Sequence, residues 1–82
     1  MSQRTTSDGI RHSYCLRVAE QAGVRIRDGG GHRYILNYGD MRPCPLAAST
    51  NAETMLAPWL ARATGRKKRE VYEALRQGDW NN

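Results

Sequence analysis

The stretch Val24-Arg25-Ile26-Arg27-Asp28-Gly29-Gly30-Gly31-His32-Arg33-Tyr34-Ile35-Leu36-Asn37-Tyr38 decides how this chain is read. Its first four residues alternate apolar with basic, the period of a half-buried strand, and Asp28 with three glycines then breaks the pattern where a hairpin turns. His32 to Tyr38 returns as a second strand. Parity places His32, Tyr34, Leu36 and Tyr38 on one of its faces and Arg33, Ile35 and Asn37 on the other. Gly39-Asp40 supplies the next turn, and Met41 to Leu46 forms a third strand in which Pro43 and Pro45 have no amide to donate. Such a strand belongs at an edge, prolines outward. The three together predict an antiparallel meander.

Helical periodicity flanks the strands. Upstream, Ile10, Tyr14, Val18 and Ala22 recur every four residues, with Cys15 and Ala19 widening the stripe. This predicts an amphipathic helix from Asp8 or Gly9 to Ala22, stopped by Gly23. Downstream, Thr50 and Glu53 have capping-box spacing, and Met55, Trp59, Leu60 and Ala63 share one face of a second helix that Gly65 ends. Pro58 inside it predicts a kink or a later start. Arg66 to Arg76 carries Val71, Tyr72, Ala74 and Leu75 at helical spacing, with Gly78 behind them, and reads as a third helix. The predicted fold class is therefore α+β, with two or three helices on one face of a three-stranded antiparallel sheet. Residues 10–77 form its single domain, and residues 1–9 and 78–82 are read as flexible tails.

A chain of 82 residues has room for one small core and none for a cleft between domains. Thirteen Lys and Arg against eight Asp and Glu leave a formal charge of +5 with a pI near 9.8, which favours a polyanion as partner. Only Lys67 and Lys68 are lysines, and arginine forks suit phosphate oxygens bidentately. Nucleic acid is the leading partner on these grounds. No apolar run approaches the ~20 residues that span a bilayer, and the opening residues lack a signal-type apolar region, so a cytoplasmic protein without membrane contact is expected. Cys15 and Cys44 stand alone, which leaves one disulfide at most and no zinc pattern; no metal or cofactor is predicted.

The order helix, three strands, helices, with Gly30-Gly31-His32 opening the second strand, resembles the HicA family of toxin ribonucleases, which carry a Gly-Ser-His motif at this hairpin. Arg33-Tyr34-Ile35-Leu36 is similar to the family's second strand, and Cys44-Pro45 to the Val-Pro step of its third. Leu56, Leu60, Ala63 and Gly65, then Arg69-Glu70-Val71-Tyr72, are similar to its closing helices. The resemblance implies a fold like the double-stranded-RNA-binding domain, a metal-independent endoribonuclease activity and a HicB-type antitoxin as protein partner.

Independently of the resemblance, metal-free RNA cleavage needs a group that takes a proton from the ribose 2′-OH or gives one to the leaving oxygen, and imidazole titrates in the right range. His32 is the candidate. Gly30 and Gly31 leave room for a phosphate and offer amides for an anion nest, while Arg25, Arg27 and Arg33 flank them. The plainer reading is a solvated histidine on a turn. His12, in the first turn of the first helix, is read as exposed and uninvolved.

A second nucleic-acid reading competes. Ala61, Gly65 and Val71 have the spacing of a helix-turn-helix, and Arg66, Lys67, Lys68 and Arg69 would lead its recognition helix. A third class, a small adaptor binding protein through Trp59, Trp80 or Tyr34, is also open.

Overall fold

The computed structural model describes residues 4–80. It is α+β, in the predicted order: α1 (His12–Gln21), β1 (Arg25–Asp28), β2 (Tyr34–Asn37), β3 (Cys44–Leu46), a π-type turn (Ala52–Leu56) that runs into α2 (Ala57–Thr64), and α3 (Lys68–Gln77). The sheet is an antiparallel meander in the order β1-β2-β3. Its register sets Ile26 opposite Leu36, Leu36 opposite Cys44, and Tyr34 opposite Leu46.

Because partners across a ladder share a face, this register gathers the apolar set on one side, where Leu36, Cys44 and Leu46 are buried. Cys15, Val18, Leu56, Leu60, Val71 and Leu75 from the helices close over them at zero to negligible exposure. The other side carries Arg25 opposite Asn37, and Arg27 opposite Ile35 opposite Pro45. The third strand is shorter than the predicted Met41 to Leu46: it begins at Cys44, so Pro43 lies outside it, and Pro45 alone is exposed between buried Cys44 and Leu46, as an outward proline on an edge strand requires.

Further local readings are corrected. The first helix starts at His12 rather than at Asp8 or Gly9, because Gly9 sits at φ 89°, outside the helical region. The residues before it do not leave the body as a tail. Thr5 bridges Arg11, the amide of His12 donates to Arg4 O at 2.9 Å, the amide of Ser7 donates to Thr50 O at 2.8 Å, and Thr6 is buried. Residues 78–80 of the predicted C-terminal tail are likewise packed: Gly78 is buried, and Trp80 donates its amide to Gln21 Oε1 at 3.1 Å and its indole Nε1 to Val18 O at 2.8 Å. Residues 1–3 and 81–82 of the two predicted tails lie outside the described residues.

The second helix is capped differently and faces differently. Thr50 is a turn residue, its hydroxyl accepting from Ala47 N and donating to Pro45 O, each at 3.0 Å. The cap is Asn51, whose side chain accepts from Thr54 N at 2.8 Å. The first turn then closes on the fifth residue back, Leu56 N to Asn51 O and Ala57 N to Ala52 O. A widened turn inserts one extra residue, about 100° of rotation, so the buried face becomes Ala52, Leu56, Ala57 and Leu60 while Met55 is 44% exposed. Pro58 falls just after it, at the start of α2, where its missing amide is best tolerated.

Candidate nucleic-acid interface

The β1–β2 hairpin is closed by two bonds, Gly29 N to Arg33 O at 2.9 Å and Arg33 N to Gly30 O at 3.1 Å. The second makes a four-residue turn with Gly31 and His32 at its centre, so His32 belongs to the turn and the second strand begins at Tyr34 rather than at His32 as predicted. Gly31 at φ 57° supplies the positive angle that such a turn needs at its first central position, and His32 needs none. Gly29 answers to packing instead: a Cβ there would stand 3.0 Å from Ile35 Cγ1.

The amides of this loop are largely committed. Gly29 N is bound to Arg33 O, and Gly30 N donates to Asp28 Oδ1 at 2.9 Å. An anion nest at Gly30 and Gly31 is therefore partly filled by the protein's own carboxylate, an Asx turn that holds the hairpin in shape. The sequence shows Asp28 as a turn residue but not that its carboxylate competes for the place a phosphate would take.

His32 projects from the tip, exposed. Arg25 and Arg27 lie on the outer sheet face by register, Arg33 follows the same parity, and all three are exposed. Neither of the described ion pairs, Arg17 with Asp79 at 3.8 Å and Arg76 with Glu73 at 3.6 Å, uses any of them. Successive outward residues on a strand stand ~6.6 Å apart, and Arg33 is the diagonal neighbour of Arg27, at roughly 7–8 Å. The backbone positions of the three arginines thus run in a row along the hairpin, with His32 beyond its tip end. At the opposite end an open groove of about 630 Å³ is lined by Arg25, Arg27, Asn37 and Tyr38 among others, and His32 takes no part in it.

The four cations of the third helix lie on the helical layer, and they do not act alike. Arg66 lies over the Trp80 ring, 4.8 Å from its centroid, so its charge is directed at an aromatic face. Lys67, Lys68 and Arg69 are exposed at the start of α3, where Lys67 provides no side-chain cap. Gly65 joins α2 to α3 in the left-handed region at φ 75°, its amide bound to Ala61 O at 2.8 Å, and Val71 is fully buried. These are the positions that helix-turn-helix spacing marks.

His12 is the residue that sequence reasoning placed wrongly. It is 5% exposed, and neither ring nitrogen has a hydrogen-bond partner among the described residues. Burial holds its pKa below the usual 6.5; the Arg4 charge adds to this, and the backbone of Ala47 and Thr5 offsets part of it. The ring is neutral and enclosed, unable to serve as a second catalytic group at the hairpin. The cysteines are free and buried. Burial chiefly, with Asp8 also contributing, pushes the Cys15 thiol up to about 12, and burial pushes Cys44 to about 11, so neither is a nucleophile at neutral pH.

The aromatic anchors of an adaptor are turned inward. Trp59 Nε1 donates to Arg42 O at 2.7 Å and Trp80 Nε1 to Val18 O at 2.8 Å, while Tyr34 packs against the core. Among the described residues no three of His, Cys, Asp and Glu gather as a metal site, and no helix is long and apolar enough to cross a membrane. No protein-family model, curated protein or solved structure matches the chain.

Proposed function

We propose that this protein binds RNA through the outer face of its sheet and cleaves it without a metal, with His32 as the proton-transfer group, in the manner of a toxin endoribonuclease. The observation that carries the reading is the row of Arg25, Arg27 and Arg33 on the uncovered sheet face, ending at an exposed imidazole. Arginines at that spacing neutralise phosphates, and the one beside the scissile group stabilises charge building on its non-bridging oxygens.

His32 takes the proton from the 2′-OH. The 2′-oxygen then attacks phosphorus, the bond to the 5′-oxygen breaks, and that oxygen leaves with a proton from water or from the imidazolium. The products are a 2′,3′-cyclic phosphate and a 5′-hydroxyl. Such a toxin needs a protein that covers the hairpin until it is released, and a HicB-type antitoxin is the proposed partner.

His32→Ala tests the reading. Cleavage of RNA should fall by about 10²–10⁴-fold, the usual contribution of one acid–base group. Binding should persist, since the phosphate contacts come from arginines. Wild-type protein that leaves every RNA intact at neutral pH sinks the enzyme reading.

The α2–α3 corner supports a second reading, duplex DNA binding by Lys67, Lys68 and Arg69, because Ala61, Gly65 and Val71 have helix-turn-helix spacing, with Gly65 left-handed between the helices and Val71 buried. Equal affinity for unrelated DNA duplexes would argue against sequence recognition by that helix.

A further inference from the structure

The open end of the β1–β2 hairpin, away from the glycine turn, holds a groove of about 630 Å³, within the size range of sites that enclose one small ligand. Arg25 and Arg27 of β1 line it together with Asn37 and Tyr38, where β2 ends. Arg25 stands directly opposite Asn37 in the register, and Arg27 is the next outward residue, ~6.6 Å along the strand. Gly23 and Gly39 also line the groove, and a Cβ on either would meet open space.

The polar side chains of this groove have no partner within the protein. Asp8, Asn51, Trp59 and Trp80 each engage a backbone amide or carbonyl. Among the described residues, by contrast, no hydrogen bond or ion pair uses the side chains of Arg25, Arg27, Asn37 or Tyr38, and no carboxylate lines the groove. Asn37 and Tyr38 are nonetheless half-buried, and Tyr38 packs against the core, so both are held in place before any ligand arrives.

Two cations, a planar amide and an aromatic ring are the groups that recognise the three parts of a nucleotide: its phosphates, the edge of its base and the face of its base. In an A-form helix the base faces are stacked and the major-groove edges lie too deep for a side chain, so the nucleotide that fits here is unpaired. An asparagine amide, one donor beside one acceptor, matches N6 and N7 of adenine. The length of β1, four residues at ~3.3 Å each, separates the groove from the turn that carries His32, so the base held here is not the one beside the bond that breaks.

Resting on the RNA reading above, we infer that this groove is a specificity subsite for one unpaired adenosine of the substrate strand, with Tyr38 stacked on the base, Asn37 on its N6 and N7, and Arg25 and Arg27 on the flanking phosphates. Cleavage at His32 then falls a fixed number of nucleotides from that adenosine.

The experiment titrates His32→Ala protein with labelled single-stranded RNAs that carry one adenosine among uridines, so that binding is read without cleavage. Guanosine in place of the adenosine should weaken binding by about 10-fold, the worth of one bidentate contact, and an abasic residue by about 10-fold or more. Asn37→Ala should erase the preference for adenosine and leave the salt slope unchanged, whereas Arg25→Gln and Arg27→Gln should each lower that slope by roughly 0.7. Tyr38→Leu should weaken the adenosine and guanosine strands alike, by about 10-fold. If a thermal melt shows that variant unfolded, Asn37→Ala, at an outward position, decides the matter. With wild type, moving the adenosine along the strand should move the cut by the same number of nucleotides. Adenosine and guanosine strands bound alike, a preference that survives Asn37→Ala, a cut that stays in place, or free AMP that competes as strongly as the oligonucleotide overturns the inference while leaving His32-dependent cleavage standing. Failure to bind any of the RNAs overturns the RNA reading and this inference with it.

Discussion

Asp8 is the residue whose loss should be felt furthest from its place in the chain. Its Oδ1 accepts from Ala52 N at 2.8 Å and its Oδ2 from Glu53 N at 3.1 Å, while the Thr6 hydroxyl donates to Oδ1 at 2.6 Å. With Asn51 taking Thr54 N, every amide of the widened turn from Ala52 to Thr54 has an acceptor, two of them supplied from 44 and 45 residues away. Asp8→Ala removes both of those bonds. The Glu53 amide is exposed and can turn to water, but Ala52 is fully buried and its donor is left wanting. A lost cap costs about 0.5–2 kcal/mol and a buried unsatisfied donor about 1–3, so a net loss of about 2 kcal/mol is expected. For a domain of this size that lowers Tm by roughly 8–16 °C. Thermal and urea melts followed by circular dichroism measure it. Asp8→Asn, which still accepts, should lose less than half as much. Burial pushes the Asp8 carboxyl up, but the bonds from Thr6, Ala52 and Glu53 outweigh it and hold the pKa below the usual 3.8. Its contribution is thus full above that value and is lost as pH falls through the lower folded value, an acid-side slope that Asp8→Ala should lack. A loss under about 0.3 kcal/mol, within the scatter of surface substitutions, would refute the cap.

Two further outcomes follow from packing. At Gly78, which ends α3 at φ 78°, an added Cβ would stand 2.8 Å from the Tyr14 ring, so Gly78→Ala should cost about 2 kcal/mol or more, whereas Gly30→Ala, with open space around it, should cost about 1 from backbone strain alone; paired thermal melts compare them. His12 sheds its proton more readily folded than unfolded, so stability should be flat above the unfolded value of 6.5 and fall as pH drops from there toward the lower folded value; His12→Leu should flatten that slope, and an unchanged slope in the variant would assign it elsewhere.

Much of this molecule could be read from short-range pattern. Alternation over Val24 to Arg27 and parity along His32 to Tyr38 assign the arginines to one sheet face and Leu36 to the other, because side-chain direction in a strand depends only on counting by two. Pro45 marks an edge for the same local reason, a missing amide. The candidate site was legible to that extent: His32 on a glycine turn, with Arg25, Arg27 and Arg33 beside it.

Tertiary structure decided whatever depends on a partner distant in sequence. Asp8 reads as a polar residue in a tail until Ala52 and Glu53 are brought to it, and Thr50 reads as a cap until Pro45 and Ala47 claim its hydroxyl. The widened turn rotates the second helix off its expected phase, so Met55 faces out and Ala52 faces in. His12 reads as exposed until the backbone around Thr5 and Ala47 encloses it, and Arg66 reads as a free cation until Trp80 lies beneath it. Periodicity specifies which way a side chain points from its own backbone. What stands opposite is chosen only when the elements pack, since an amide or a ring is satisfied by whichever group the closed core brings within reach.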